Sequence, residues 1–266
     1  MNKGIDIFSL KGKNALITGA TGHLGSVMAY SLAEAGANVW VNSRSKKRCN
    51  AIVEKILCQG FNAENAVFDI NSEKEVSVFV KKNRDRPLHI LINNAYAGGA
   101  GNIKMSDTSS YANSYEITVL SAHRLLQSLL PNLRLAVGIG GDASVINFAS
   151  MYALVSPDQR LYSAESGANP PFYGAAKAAL LHWTRYAACE FGGEGIRVNS
   201  ISPGPFPSEA VQKANPDFIS KLVSKVPMGR IGDAKEIRGP ALFLASSASS
   251  YVNGANIVVD GGWTCW

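Results

Sequence analysis

The stretch LITGATGHLGSVMAYSLAEAG, residues 16–36, decides the fold. It opens on an apolar run that reads as a strand, crosses a turn holding Gly19, Gly22 and Gly25, and continues as an amphipathic helix that Gly36 ends as a C-cap signal. Glycines between a strand and a helix let the backbone approach a pyrophosphate, and the helix N-terminus supplies free N–H groups and a positive dipole end. The spacing is G-x-x-G-x-x-G rather than G-x-G-x-x-G, and a plain glycine-rich turn is the other reading.

The same alternation continues outward. Strands are expected at 14–19, 38–43, 62–70, 88–95, 144–150, 196–204 and 256–262. Helices are expected from Lys46 to about Gln59, over 73–83, over 110–130, through Tyr173 and over 233–246, with a looser segment before the last. Continuous apolar strands joined by helices imply a parallel sheet covered on both faces. Right-handed crossovers make it an α/β Rossmann-type doubly wound sheet. No linker or repeat interrupts the chain, so residues 1–266 read as one domain.

Composition narrows the function. No apolar run approaches the roughly 20 residues that span a bilayer, and no signal-peptide pattern opens the chain. Cys49, Cys58, Cys189 and Cys265 are scattered without C-x-x-C spacing, which makes a reducing cytoplasm the expected location. The four histidines form no ligand cluster, so no metal is expected. The net charge is +6, yet the basic residues are dispersed apart from RSKKR at 44–48, so nucleic acid is not an expected partner. That basic run reads as a solvated helix start, or as a contact to a phosphate on a small ligand.

The end of the second strand bears on the cofactor. A carboxylate there would hold a ribose 2′-hydroxyl, whereas this chain has Asn42, Ser43 and Arg44. A guanidinium suits a 2′-phosphate, which favours NADP over NAD, although NAD stays possible and Arg44 can also face only solvent.

TGATGHLG at 18–25, NNAY at 93–96, Ser150 after INFA, YGAAK at 173–177 and PGP at 203–205 occur in an order that resembles the short-chain dehydrogenase/reductase family. The resemblance extends through VNGANIVVDGG at 252–262. It implies an enzyme that moves a hydride between a nicotinamide and a carbonyl or alcohol carbon. Such a reaction needs a proton at the oxygen. A phenol with its ordinary pKa of about 10 is a poor base, and a neighbouring ammonium lowers that value.

The resemblance gives Tyr173 the proton-transfer role, Lys177 the role of lowering its pKa and binding the nicotinamide ribose, and Ser150 a hydrogen bond to the substrate oxygen. It puts the cofactor along Gly19, Thr21, Gly22, His23, Leu24 and Gly25, then Ser43 and Arg44, then Asp69 and Ile70 by the adenine. Asn93, Asn94 and Ala95 follow at the fourth strand, with Pro203 and Gly204 beside the nicotinamide.

Three departures stand out. Tyr96 replaces the glycine that usually ends Asn-Asn-Ala-Gly and is a candidate substrate contact. Counting back from Pro131 puts Thr118 where the family has a catalytic asparagine that supports a relay water. The segment between Ser150 and Tyr173 is longer than usual. There, Arg160 and Glu165 are candidate contacts to a hydroxylated or anionic substrate, or members of a surface loop with subunit contacts. Trp263 and Trp266 can stack on a sugar face or pack a subunit interface.

The long insertion, SPGPFP and DGGWTCW resemble a sugar-directed branch that includes gluconate 5-dehydrogenase-like and surface-sugar pathway oxidoreductases. The implied reaction is NADP-dependent, at a secondary alcohol or ketone of a sugar, sugar acid or polyol, in a homotetramer. Two alternatives remain: a 3-oxoacyl-thioester reductase, and a non-catalytic NADP-binding regulator on the same fold.

Overall fold

Ala15, Leu16 and Ile17 are fully buried, and this short apolar run forms β1 (Asn14–Ile17) near the middle of the sheet in a computed structural model that describes residues 6–266. The strands that follow are β2 (Asn38–Ser43), β3 (Asn62–Val67), β4 (Ile90–Asn93), β5 (Ala143–Phe148), β6 (Ile196–Pro203) and β7 (Asn256–Val259). They form one parallel seven-stranded sheet in the order β3-β2-β1-β4-β5-β6-β7. The helices are α1 (His23–Glu34), α2 (Lys46–Cys58), α3 (Glu73–Lys82), α4 (Thr108–Tyr115), α5 (Ser121–Gly138), α6 (Pro171–Phe191), α7 (Glu209–Ala214), α8 (Pro216–Lys225) and α9 (Arg238–Ala245).

Because successive strand residues point to opposite faces, the core divides in two. Ile17, Val41, Ile92 and Ile146 pack with Met28 and Leu32 of α1, Ile56 of α2 and Leu244 of α9. Leu16, Leu91, Val145 and Val198 pack with Val76 of α3, Leu129 of α5 and Ala187 of α6. The fold is therefore the doubly wound α/β sheet that the strand pattern implies.

Several elements differ from the sequence expectation. The helix expected over 110–130 begins at Thr108, opens into one π turn at Glu116–Leu120 and continues to Gly138 through Pro131. A π turn accommodates an extra residue within a helix. β3 stops at Val67, freeing Phe68 and Ile70 to turn inward, where both are buried. The looser segment holds α7 and α8. The helix expected from 233 starts as a 3-10 turn, Ala234–Ile237, on a capping box made by Asp233 and Glu236.

The carboxyl ends of β1 and β4 are tied together by Thr18, which is 1% exposed. Its hydroxyl accepts the backbone N–H groups of Asn94 at 2.9 Å and Ala95 at 3.1 Å. The Asn94 amide in turn donates to the Thr18 carbonyl at 3.0 Å. Thr18→Val keeps the shape and strands two N–H donors, so it should cost about 1–3 kcal/mol in a urea unfolding titration.

Candidate active site

Leaving β1, the chain turns through Gly19, whose φ of +63° disfavours any side chain. A Cβ on Gly25 would lie 2.2 Å from the Gly19 carbonyl oxygen, so α1 can start this close to the turn only without one. Gly22 is the N-cap of α1 and no side chain caps the helix, which leaves first-turn N–H groups free for an anion.

A cleft of about 340 Å³ runs along this turn. Its walls include Gly19, Thr21, Gly22, His23, Leu24 and Gly25, then Ser43 and Arg44, then Asp69 and Ile70, and then Asn94, Ala95 and Tyr96. Asn42, at the strand end already noted, and Arg48 join them, and Phe68, Asn71, Ala97 and Ile117 complete the wall without having been singled out from the sequence. Arg48 had a signal in the basic run at 44–48. Phe68 and Ile117 had none, because both arrive through turns that end a strand or open a helix.

The donor set fits a dinucleotide carrying a 2′-phosphate. Arg44 and Arg48 converge at the end of β2. Arg48 is steadied by a 2.9 Å bond to the Thr21 carbonyl. Arg44 is largely exposed and lies 3.9 Å from Asp69, so it remains available to an anionic ligand.

Asn93 sits apart from the cleft wall. It donates to Asn147 at 2.8 Å, Asn147 donates to Thr184 at 2.9 Å, and Thr184 donates to the Leu180 carbonyl at 2.8 Å. This buried chain joins β4, β5 and α6. Pro203 and Gly204 end β6, where a Cβ on Gly204 would lie 2.5 Å from Asp260 Cα. Neither lines the cleft along β1.

At the end of β5, Ser150 is 5% exposed and its hydroxyl accepts the Tyr152 N–H at 3.1 Å. Tyr173 and Lys177 lie one turn apart near the start of α6. The Lys177 ammonium is buried, donates to the Phe148 carbonyl at 2.6 Å and stands 5.8 Å from the Tyr173 ring centre. Burial lowers its pKa to about 8. Burial raises the Tyr173 phenol above its ordinary value, against a lowering hydrogen bond with Ser150. Desolvation is the largest influence on the phenol, and the ammonium is held on the Phe148 carbonyl. Thr118 lies in the π turn, which packs against α6, and its buried hydroxyl has no partner among the described residues.

The segment between Ser150 and Tyr173 forms three 3-10 turns, Met151–Ala153, Gln159–Leu161 and Glu165–Gly167. Met151 and Leu161 pack with Leu222 and Val226, and Tyr162 stacks on Phe218 at 5.6 Å. A cleft of about 360 Å³ lies among Gly99, Met151, Tyr152, Asn169, Phe206 and Leu222. A second cavity, of about 690 Å³, shares Tyr152, Tyr162 and Asn169 with it.

The four residues expected at the substrate differ in placement. Glu165 rims the larger cavity and accepts from Asn102 at 2.6 Å. Arg160 turns onto Asp158 through two 2.8 Å bonds and borders neither space, because a paired carboxylate two residues away satisfies its fork. Trp263 is 7% exposed and buried with Met151 and Leu161, so its ring packs the segment rather than offering a face; Trp266 is exposed. Tyr96 lies against Tyr173.

The chain belongs to the short-chain dehydrogenase/reductase family: residues 19–264 match the family model described as enoyl-(acyl carrier protein) reductase. It is accordingly an NAD(P)-dependent oxidoreductase. It is 34% identical over 275 residues to a 2-dehydro-3-deoxy-D-gluconate 5-dehydrogenase of Dickeya dadantii, covering 97% of this chain and 98% of that protein. It is 31% identical over 260 residues to a rhamnolipids biosynthesis 3-oxoacyl-[acyl-carrier-protein] reductase of Pseudomonas aeruginosa, covering 96% and 98%. Among solved structures, a gluconate 5-dehydrogenase from Burkholderia cenocepacia, in complex with NADP and tartrate, superposes with a TM-score of 0.86. It is 28% identical, covering 98% of this chain and 99% of that one.

No helix among the described residues is long and apolar enough to cross a membrane, and none of their His, Cys, Asp and Glu side chains form a group able to hold a metal. The tight turn yields a direct test. Gly25→Ala must push Gly19 out of place, and should weaken dinucleotide binding by about tenfold or more in a fluorescence titration, the equivalent of one lost charge-assisted contact.

Proposed function

We propose that this enzyme uses NADP to interconvert a secondary alcohol and a ketone on a sugar, sugar acid or polyol. The observation that carries the chemistry is the convergence of Ser150, Tyr173 and Lys177 between the end of β5 and the start of α6. The two guanidinium groups at the end of β2 support NADP. Sugar-acid dehydrogenases among the relatives support the substrate class.

In this reading the bound nicotinamide supplies the hydride in reduction and accepts it in oxidation. Tyr173 gives its phenolic proton to the carbonyl oxygen in reduction and takes the hydroxyl proton back in oxidation. Ser150 donates a hydrogen bond to the same oxygen as charge develops on it. Lys177, held by the Phe148 carbonyl, keeps a positive charge beside the phenol and can donate to the ribose. Thr118 offers a hydroxyl where the family carries asparagine. Gly19 to Gly25 with the α1 N-terminus hold the pyrophosphate; Asp69 and Ile70 border the adenine; Asn94 and Ala95 border the ribose. In this assignment Asn93 orients β4 against β5, Pro203 and Gly204 flank the nicotinamide, and Trp263 buttresses the wall on which Glu165 meets substrate.

A 3-oxoacyl-thioester reductase is the second reading, favoured by the size of the 690 Å³ cavity and by the Pseudomonas aeruginosa relative. The presence of all three of Ser150, Tyr173 and Lys177 supports an enzyme over a regulator. A homotetramer in the cytoplasm completes the proposal. Four unpaired cysteines agree with a reducing compartment, and exposed Tyr115, Leu120 and Tyr186 offer apolar surface for subunit contact.

The test is nicotinamide absorbance against sugar acids, polyols, keto-sugars and 3-oxoacyl thioesters with both cofactors. Turnover of a sugar-type substrate with NADP supports the proposal; turnover confined to thioesters replaces it with the second reading. Tyr173→Phe should lower kcat by about a hundredfold or more while cofactor affinity stays within about twofold. Arg44→Asp should raise KM for NADP about tenfold and spare NAD; an unchanged preference removes Arg44 from 2′-phosphate recognition.

A further inference from the structure

Tyr96 stands where the family's motif usually has glycine, and it connects to the reacting pair in three ways. Its ring meets the Tyr173 ring edge-on, with centres 4.9 Å apart. The Lys177 ammonium lies 5.4 Å from its ring centre, closer than to the Tyr173 ring at 5.8 Å. Its hydroxyl is 3.4 Å from the Ser114 hydroxyl, which donates at 3.1 Å to the carbonyl of Phe172, the residue before Tyr173. The loop closes over this phenol: a Cβ on Gly98 would fall 2.2 Å from the Tyr96 hydroxyl oxygen. Tyr96 also lines the cofactor cleft, which Tyr173 and Lys177 do not, so its ring adjoins both that open space and the pair.

We propose that Tyr96 is a positioning residue for the reaction: its ring walls the Tyr173–Lys177 pair from the cleft and so sets the pH range in which the phenol carries its proton. The inference rests on Tyr173 being the proton-transfer group.

The physical argument starts from the buried ammonium. Lys177 has three N–H donors and one hydrogen-bond acceptor, the Phe148 carbonyl. The Tyr96 ring supplies a π face toward the same charge, an interaction of a kind that strengthens when water is excluded. The titratable groups that face the phenol are Lys177 on its own helix, Tyr96 from the loop after β4 and Tyr152 from the segment after β5. None is a carboxylate. With no anion present to shift the pair, water access is the main lever on both groups.

The sign follows. Burial disfavours the phenolate and disfavours the ammonium. Removing the ring admits water, eases both penalties, and removes a neighbouring phenol that also opposes ionisation of Tyr173. The phenol then loses its proton at lower pH. At Lys177 the same change removes a π face and admits water, and these two effects oppose one another. The fall at Tyr173 therefore rests on hydration of its own phenol and on the loss of the neighbouring one.

The test compares full-length wild type, Tyr96→Gly and Tyr96→Phe. Glycine is the residue the family motif usually carries, so the backbone has a precedent for it, and Tyr96→Ala repeats the comparison should the glycine variant fold poorly. The primary readout is the ultraviolet tyrosinate absorbance of the cofactor-free protein. Each titration is subtracted from that of the same variant carrying Tyr173→Phe, which isolates one phenol among nine tyrosines. The Tyr173 midpoint should fall by about one pH unit in Tyr96→Gly and return toward wild type in Tyr96→Phe, which restores the ring without the hydroxyl.

The second readout is the pH profile of kcat/KM for carbonyl reduction. Its alkaline decline should begin at lower pH in Tyr96→Gly, with a loss in kcat rather than a rise in substrate KM. Superimposable titrations and profiles in the glycine and phenylalanine variants overturn the proposal. If Tyr173→Phe keeps full activity, the underlying reading of Tyr173 fails instead, and the two failures are distinct.

Discussion

The site depends on one constraint: β1 lies between β2 and β4, so the chain leaves it toward one side and later returns on the other. Loops that diverge at such a switch point open a crevice at the carboxyl ends of the strands. Thr18 and Asn94 clamp the two edges of this crevice through backbone hydrogen bonds. The clamp in turn requires the bare backbone of Gly25 against Gly19. The cleft along β1 follows from these contacts, and the ends of β4 and β5 then bring Tyr96 and Ser150 toward the start of α6.

A second constraint is electrostatic. An ammonium nearly sealed from water is costly unless it is paired, and Lys177 is paired with a carbonyl and two aromatic rings rather than with a carboxylate. That arrangement leaves the charge free to act on whatever oxygen lies beside it. Tyr173 is half-buried, so desolvation raises its phenol and the residues around it bear on how far. The long segment before α6 is tied down as well: its apolar residues pack on α8 and Trp263.

Much of this was legible in the residues. Alternation of apolar strands and amphipathic helices identified the parallel sheet. The glycines at 19, 22 and 25 marked the crevice, and the ordered motifs identified the family. The readings that depended on a side chain's direction fared differently. The charge of Arg160 allows either a substrate contact or a place in a surface loop, and a carboxylate two residues away holds it. The position of Trp263 near the terminus allows either stacking on a sugar or packing at a subunit interface, and residues 151, 161, 222 and 226 enclose it. The helix after β4 was read as continuous, and its π turn at 116–120 left no mark in the apolar periodicity.

The sequence by itself determined the sheet, the winding and the glycine turn after β1, because strand burial, helix periodicity and glycine conformation are local properties with fixed spacing. Only the tertiary structure decided where the Lys177 ammonium points, that the Tyr96 ring lies beside it, and that Arg48 joins Arg44 in the cleft along β1. Those outcomes depend on distances between atoms far apart along the chain, and on which groups water can reach. Neither quantity exists until the chain has folded.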